Sequence, residues 1–449
     1  MSSLIPILVG ALFTLAVSYA LGSLCLRMLP LPRPLVLGVG AAILSVLVFL
    51  LLLAGLANPI VFAVVGLLAL GVWTRFRAPV LEEPPRKSLD RTSRYLVAIL
   101  LGSYALIYFV YALAPEIQPD SITYHLGLVA EYLRLGSFPE RVGFYEMVPQ
   151  GMEMLFLFAF AFGRHSAAKL VHFGFLLATL PLIVAIGRRL GLIDLVAWLA
   201  AALYFCAPVV ATSGTCSYND AALVFFGLAA FYLLLAWRQT GDGRYLLPAG
   251  VTAGFCYAVK FPGIVVLPAV VLAVLAGRPR YRRILPLLAG GLLMFAPWML
   301  RNLLVVGNPL APLFNGWFPN PYFHAFIDSR LVSKLSSYGG VTLAAAPWQL
   351  AAGGKLQGVF GPLFLVLPLG LVALRKPAGR LCWLAAAVLA VPWFVNMGAR
   401  FLMPAFPFLT LALAMSLGMF LARPLLWACL LLETVVCWPQ VVDQYVPQY

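Results

Sequence analysis

Charged residues are scarce in this 449-residue chain. They make up 10% of it against 63% hydrophobic residues, and the mean hydropathy is +0.99. Soluble domains carry about 25% charged residues, so a chain this apolar cannot cover itself with polar surface and needs lipid as its solvent. Its apolar runs last about 17–25 residues and lack the alternation of strands, which predicts membrane-spanning helices.

Motifs of soluble-enzyme chemistry are also missing. The seven cysteines form no CxxC pair, so neither a disulfide framework nor a metal knuckle is expected. Without a P-loop or GxGxxG, nucleotide-driven chemistry has no support, and no HExxH is present. His165 and His172 do not have the spacing of a zinc pair, and we interpret them as satisfied helix residues.

Acidic residues are half as frequent as basic ones, with 15 Asp and Glu against 30 Lys and Arg. The net charge of +15 does not indicate nucleic acid, because the basic residues gather between apolar runs, as the positive-inside rule requires of cytoplasmic loops. We therefore expect membrane lipids as partners and no nucleic acid.

These basic clusters fix the orientation of the apolar runs. If every cluster is cytoplasmic, the chain crosses the membrane about fourteen times, with both termini outside. The expected spans lie near 4–26, 35–56, 58–74, 95–114, 166–187, 194–212, 218–237, 245–260, 262–277, 284–305, 357–374, 380–397, 401–421 and 425–441. The apolar piece 151–163 is too short to cross, and we interpret it as a re-entrant or interface-lying helix. The predicted fold class is an all-α, polytopic integral membrane protein of about 13–14 transmembrane helices.

Two extracytoplasmic loops, 115–150 and 306–356, are longer than a connection between helices requires. Long loops on a rigid scaffold often carry function. The acidic residues in and just after the first loop are Glu116, Asp120, Glu131, Glu140, Glu146 and Glu153. The stretch 122–135 is amphipathic, which predicts a juxtamembrane helix.

Two carboxylates stand at the outer ends of predicted spans. Asp120 is followed closely by Tyr124 and His125, and Asp220 begins the span near 218–237. Either aspartate could serve as a helix N-cap, which is the structural alternative.

Three isolated cations lie on the same side, against the charge rule. They are Lys260, Arg301 (which precedes Asn302) and Arg400. Snorkelling to lipid phosphates is the alternative for each, but together they suit an anionic ligand such as a lipid phosphate or pyrophosphate. A carboxylate can take a proton from an attacking hydroxyl, while fixed cations stabilise a departing phosphate. Sugar transfer from a phospholipid carrier needs both.

The first-loop run PDSITYHLGLVAEYLRLGSFP, with YEMVPQGMEMLFLFAFAFGRHSAAKLVHF after it, resembles GT-C glycosyltransferases. It is similar to the bacterial phospholipid-carrier-dependent enzymes of the protein-mannosyltransferase and aminoarabinose-transferase type. The segments PWMLRNLLVVGNPLAPLFN and ARFLMPAFPFLTL look like later elements of the same group.

The resemblance implies domains and roles. Residues 1–94 would hold extra N-terminal transmembrane helices and a cytoplasmic linker, and 95–449 the GT-C-like transmembrane domain. Asp120 matches the acid that deprotonates the acceptor, Asp220 a second acid that supports the site or a metal, and Arg400 the contact to the carrier phosphate. A single first-loop aspartate leaves the acceptor class open.

The resulting hypothesis is an inverting glycosyltransferase of the bacterial cytoplasmic (inner) membrane with an extracytoplasmic active site. Its donor is a polyprenyl-phosphate sugar and its acceptor a hydroxyl of a glycan, lipid or protein. The predicted catalytic residues are Asp120 and Asp220, and the predicted substrate-binding residues are Tyr124, His125, Lys260, Arg301, Asn302 and Arg400. A divalent cation, Mg²⁺ or Mn²⁺, is optional.

Two alternatives stay open. A non-enzymatic flippase or transporter also needs intramembrane charges, but it should carry them near the midplane and at both faces. A ligase or polymerase of lipid-linked glycans shares outer-face arginines, but often relies on His or Arg where this sequence offers Asp.

Overall fold

The computed structural model describes residues 4–76, 89–277, 284–336 and 340–443. Within these ranges the chain is helical and forms no strand, which confirms the all-α prediction. The basic cluster at 278–283 and most of the predicted cytoplasmic linker lie outside the described residues.

Eighteen α-helices follow one another along the described chain. They are α1 Leu4–Leu26, α2 Arg33–Leu53, α3 Pro59–Phe76, α4 Arg91–Leu113, α5 Leu126–Leu135, α6 Phe144–Met147, α7 Gly151–Arg189, α8 Asp194–Phe205, α9 Pro208–Thr215, α10 Asp220–Thr240, α11 Leu246–Val259, α12 Val266–Gly277, α13 Leu285–Val306, α14 Phe326–Ser336, α15 Ala346–Trp348, α16 Pro377–Ala390, α17 Phe406–Phe420 and α18 Arg423–Asp443. A π-helical turn, Ser121–His125, leads into α5, and a long 3₁₀ helix covers Pro362–Arg375.

Membrane-spanning length is reached by nine of the described helices, or by ten if the pair α8 and α9, bent by 66°, is one span. Three further apolar helices of 10–17 residues are shorter. The protein is therefore a multi-pass membrane protein. The sequence predicted about 13–14 spans. Several of the predicted runs fold as helices of 12–15 residues, as α11, α12 and α17 do, and these are not among the nine long helices.

The apolar piece 151–163 is helical and packed inside the protein, and its interpretation as a re-entrant or interface-lying helix stays a prediction. It forms the first part of α7, and residues 151–160 are all buried. The backbone leaves helical geometry at Arg164, where φ is 60° and ψ is −154°, and the helix then continues to Arg189. Apart from Glu153 the segment is apolar on every face, as is typical of a helix that is buried in protein.

Two compact units make up the chain. The first comprises residues 1–83, 112–175 and 216–331, and the second 84–111, 176–215 and 332–449. Each unit contains residues from both sides of residue 94. The predicted domain boundary at that residue stays a prediction.

In the first unit, glycines let the helix backbones approach closely. A Cβ on Gly22 of α1 would clash with the carbonyl of Val36, and one on Gly40 of α2 would clash with the carbonyl of Ser18. Helices in lipid gain no hydrophobic energy by associating, so small residues and close packing hold them together.

The same unit supports the first long loop. The Phe49 ring of α2 lies 5.5 Å from the ring of Phe138 in the loop and 4.8 Å from that of Trp298 on α13. The amide of Ala57 donates to the carbonyl of Gly136 at 3.1 Å. The N-terminal helices therefore fix the loop that carries Asp120.

The second unit is held by tyrosines that reach backbone carbonyls. Tyr104 donates to the Thr434 carbonyl at 2.5 Å and Tyr108 to the Phe205 carbonyl at 2.8 Å. Both rings are fully buried, so each hydroxyl needs a partner to offset its desolvation.

Close packing at the α1–α2 crossing predicts that an added methyl group is costly at Gly40 and harmless at Gly71, which lies outside the crossing. Gly40→Ala should destabilise the protein by about 1–3 kcal/mol, because the added methyl group meets backbone that cannot move aside. Gly71→Ala on α3, where nothing lies within 4 Å, should be neutral or stabilising by up to about 1 kcal/mol through helix propensity. Thermal unfolding in detergent compares them, and equal melting temperatures would contradict the close packing.

Candidate functional site

Asp120 lies at the entrance to the π-helical turn. Its backbone is helical, with φ −59° and ψ −43°, and its side chain makes no capping hydrogen bond to that turn. The residue is half-buried. Single π turns occur frequently at functional sites, because the extra residue turns neighbouring side chains out of helical register. The N-cap alternative therefore gains no support at this position.

Tyr124 and His125 are held by partners from the end of the first loop and the start of α7. The Tyr124 ring stacks on that of Tyr145, with centroids 4.0 Å apart and planes 3° from parallel. The Nδ1 of His125 lies 2.5 Å from an oxygen of Glu153, and both side chains are buried. The π turn thus carries an aromatic pair and a histidine–carboxylate pair next to each other, with the ring centroids of Tyr124 and His125 4.4 Å apart.

Asp220 and Lys260 form an ion pair. The Nζ of Lys260 donates to Oδ1 of Asp220 at 2.6 Å, and the side chains are 17% and 1% exposed. Asp220 is in the first turn of α10, where the helix dipole favours a negative charge. Lys260 is extended and ends α11, just ahead of Pro262, which cannot continue the hydrogen-bonding of that helix. The structure thus brings together two of the predicted residues that lie 40 positions apart.

Polar contacts tie the Asp120 segment to the start of α10. Tyr218 donates to the side-chain oxygen of Gln118 at 3.4 Å, and a Glu116 oxygen accepts from the Ser217 amide at 2.7 Å. Asp120 follows Gln118 by two residues, and Asp220 follows Tyr218 by two. The two predicted catalytic acids therefore lie on segments that are bonded to each other.

Arg301 and Asn302 bind the backbone of the loops. The guanidinium of Arg301 lies 4.2 Å from the ring centre of Phe138 and donates to the Glu146 carbonyl at 2.9 Å. Asn302 donates to the carbonyls of Met147, at 2.7 Å, and Ala311, at 3.0 Å. These contacts account for a buried guanidinium at the end of α13. The substrate contacts predicted for both residues stay predictions.

An apolar cluster packs the two long loops together. It contains Met147 of the first loop with Val306, Ala311 and Phe323. The second loop thereby supports the segment from which Tyr145 and Glu146 project.

Arg141 fastens the first loop to itself. It makes a bidentate pair with Glu131, at 2.8 and 2.7 Å, and its Nε donates to Glu146 at 2.7 Å. The bond to Glu146, reinforced by Glu131, raises the pKa of the Arg141 guanidinium. Two of the loop acids are thereby used in loop structure.

Arg400 belongs to the second unit. It lies in a short 3₁₀ helix, Ala399–Leu402, and its guanidinium is 5.1 Å from the ring centre of Phe401. Its predicted contact to the carrier phosphate stays a prediction.

No three His, Cys, Asp or Glu side chains within the described ranges gather into a metal site. The Oδ1 atom of Asp220 accepts a hydrogen bond from the ammonium of Lys260. The optional Mg²⁺ or Mn²⁺ stays a prediction.

Several residues at the site escaped the candidate set. Glu153, Tyr145 and Glu116 were visible only as members of an acidic and aromatic loop, and Lys169 and His172 only as polar residues within an apolar helix. The partners of Glu153, His172 and Glu116 in other segments lie between 28 and 101 positions away, so spacing offered no signal. The interpretation of His172 as a satisfied helix residue is confirmed, since its Nδ1 lies 2.9 Å from the Cys216 carbonyl.

Known proteins resemble this chain in part of its sequence and in its fold. The family model for dolichyl-phosphate-mannose-protein mannosyltransferase matches residues 159–286. No curated protein gives a significant match. Among solved structures, ArnT from Cupriavidus metallidurans in the apo state is similar, at 18% identity and a TM-score of 0.53 over 76% of this chain and 62% of ArnT. The same ArnT bound to undecaprenyl phosphate gives 17% identity and a TM-score of 0.54, over 76% of this chain and 63% of ArnT.

These matches establish the fold. Together with the helical architecture they define a polytopic membrane protein with the fold of the GT-C glycosyltransferases, which confirms the resemblance found in the first-loop sequence. The chain spans less than two thirds of the length of ArnT.

The Asp220–Lys260 pair predicts an unequal response to neutralisation. Lys260→Met leaves a carboxylate that is 1% exposed without its cation, and should cost up to about 3–5 kcal/mol. Asp220→Asn should cost less, because the Lys260 side chain can turn towards water. The double variant should be more stable than Lys260→Met alone. Denaturant unfolding in micelles measures all three, and simple addition of the two single effects would show that the pair is not coupled.

Proposed function

We propose that this protein transfers a sugar from a polyprenyl-phosphate carrier to an acceptor hydroxyl on the extracytoplasmic side of the bacterial cytoplasmic membrane. The observation that carries the proposal is the bonded arrangement of the Asp120 segment with the Asp220–Lys260 pair. The similarity in fold to ArnT, solved with undecaprenyl phosphate bound, supports the carrier class.

Asp120 is the general base in this proposal. Its carboxylate takes the proton of the acceptor hydroxyl as the oxygen attacks the anomeric carbon of the sugar. The bond from that carbon to the carrier phosphate breaks, and its electron pair leaves with the phosphate. Attack from the face opposite the leaving group inverts the anomeric centre. Such proton transfer typically contributes about 10²–10⁴-fold to the rate.

Lys260 supplies positive charge for the departing phosphate. Its ammonium is paired with Asp220 yet keeps 17% of its side-chain surface exposed, so it can meet an anion while remaining oriented. A fixed cation needs no reorganisation as negative charge develops on the leaving group. Asp220 acts in this arrangement as the residue that orients Lys260.

The stacked pair Tyr124 and Tyr145 is the proposed surface for the sugar or acceptor. Tyr145 is 42% exposed and Tyr124 is half-buried, so the pair presents both a flat apolar face and phenolic hydroxyls. His125 keeps the π turn in place through its bond to Glu153.

Asp120→Asn tests the proposal. The amide is close in shape to the carboxylate but cannot accept the proton, so transfer should fall by at least about 10²–10⁴-fold with folding and membrane insertion intact. The matched control is Glu140→Gln, an exposed acid of the same loop, which should retain activity. Mass analysis of envelope glycans in a deletion strain complemented with each variant gives the measurement.

The same strain separates the alternatives. Loss of a glycan modification together with accumulation of polyprenyl-phosphate sugar supports transfer. Full activity in the Asp120→Asn strain ends the assignment. If the purified protein in liposomes moves a lipid-linked sugar across the bilayer but forms no glycoside, it is a transporter.

A further inference from the structure

Lys169 is a buried cation that the proposed reaction does not use. It lies on α7 and is 1% exposed. Its Nζ donates to the Ala114 carbonyl at 2.8 Å, with the Pro115 carbonyl at 3.4 Å. A buried ammonium is costly unless it is hydrogen-bonded and balanced by opposite charge, and Glu116 supplies the attractive electrostatic interaction. The Lys169 side chain therefore anchors the backbone where the first loop begins.

Glu116 joins that backbone to the segment before α10. One carboxylate oxygen accepts from the amides of Ile117, at 2.9 Å, and Gln118, at 3.0 Å. The other accepts from the Ser217 amide at 2.7 Å. A carboxylate is the side chain that can accept at both oxygens at once.

His172 continues the same face of α7. It follows Lys169 by three residues, so the two side chains project from one side of the helix. Its Nδ1 donates to the Cys216 carbonyl at 2.9 Å, and its Nε2 accepts from the Ala221 amide at 3.1 Å. This face of α7 therefore contacts the segment before Asp120 and the segments on both sides of Asp220.

We propose that Lys169 and Glu116 are a pair of positioning residues that hold the Asp120 and Asp220 segments in a single register. The kinetic consequences of this inference rest on the proposed function. The contacts of Lys169 and Glu116 with the two segments, called the brace below, are a property of the fold. Lys169 is not a catalytic residue, since its ammonium is buried against backbone carbonyls.

The brace can be tested without any activity. Hydrogen exchange of the purified protein in micelles should speed up in Lys169→Met by roughly tenfold or more in peptides covering 114–118 and also 216–218, because both segments share the Glu116 carboxylate. Glu116→Gln keeps the shape but leaves one acceptor oxygen, so one of the two segments should lose protection. Thr252→Val, which removes a buried hydroxyl bonded within α11, is the control and should change neither segment.

Kinetics then separate positioning from general structural damage. Each single variant should lower kcat about 10–100-fold, as expected for displaced reacting groups, while KM for the polyprenyl-phosphate sugar stays within about twofold. The double variant Glu116→Gln/Lys169→Met should be no slower than the slower single variant, because the two residues act as one unit.

The outcomes are distinguishable. Unchanged exchange at 216–218 in Lys169→Met, or multiplication of the two kinetic effects, overturns the brace. Increased exchange in both segments, in a protein that shows no sugar transfer in its unaltered form, supports the brace and rejects the proposed function. Because Glu116→Gln is isosteric, it keeps the test decisive if Lys169→Met fails to fold.

Discussion

The first unit depends on one constraint, which is that a charge removed from water must meet an opposite charge or an oriented backbone dipole. Asp220 meets Lys260, and His125 meets Glu153. Arg301 meets an aromatic face and a carbonyl. Each pairing joins segments that are distant in the chain, so the groups that suit chemistry also determine where the loops lie.

Backbone groups also serve as partners in this network. Glu116 accepts from three amides, and Asn302 donates to the carbonyls of two different loops. Irregular backbone near a membrane is stable only when its polar groups are satisfied. Side chains from the helices, above all from α7 and α13, therefore order the long loops. A helix that faced only lipid would have no reason to carry such polar side chains.

The fold of this protein and its proposed function rest on different kinds of evidence. The likeness to ArnT covers most of this chain at 17–18% identity, a level at which architecture persists and chemistry can change. The case for sugar transfer consequently rests on the site, where a half-buried acid precedes a π turn and a bonded segment carries an acid and a cation. The apolar Met147 cluster and the Arg141 clamp stabilise that site without taking part in it.

Hydrophobicity is a local property, so the sequence alone could locate apolar helices. The predicted run 4–26 is α1, and the predicted run 425–441 lies within α18. The position of Asp120 and Asp220 at the outer ends of predicted spans made them candidate acids, and the resemblance predicted the GT-C fold. Only the tertiary structure decided that 151–160 is buried, that Lys260 pairs with Asp220, and that Arg301 holds a loop. Those outcomes depend on which distant segments pack together, and the free energy of burying a charge is fixed by partners that no local pattern records.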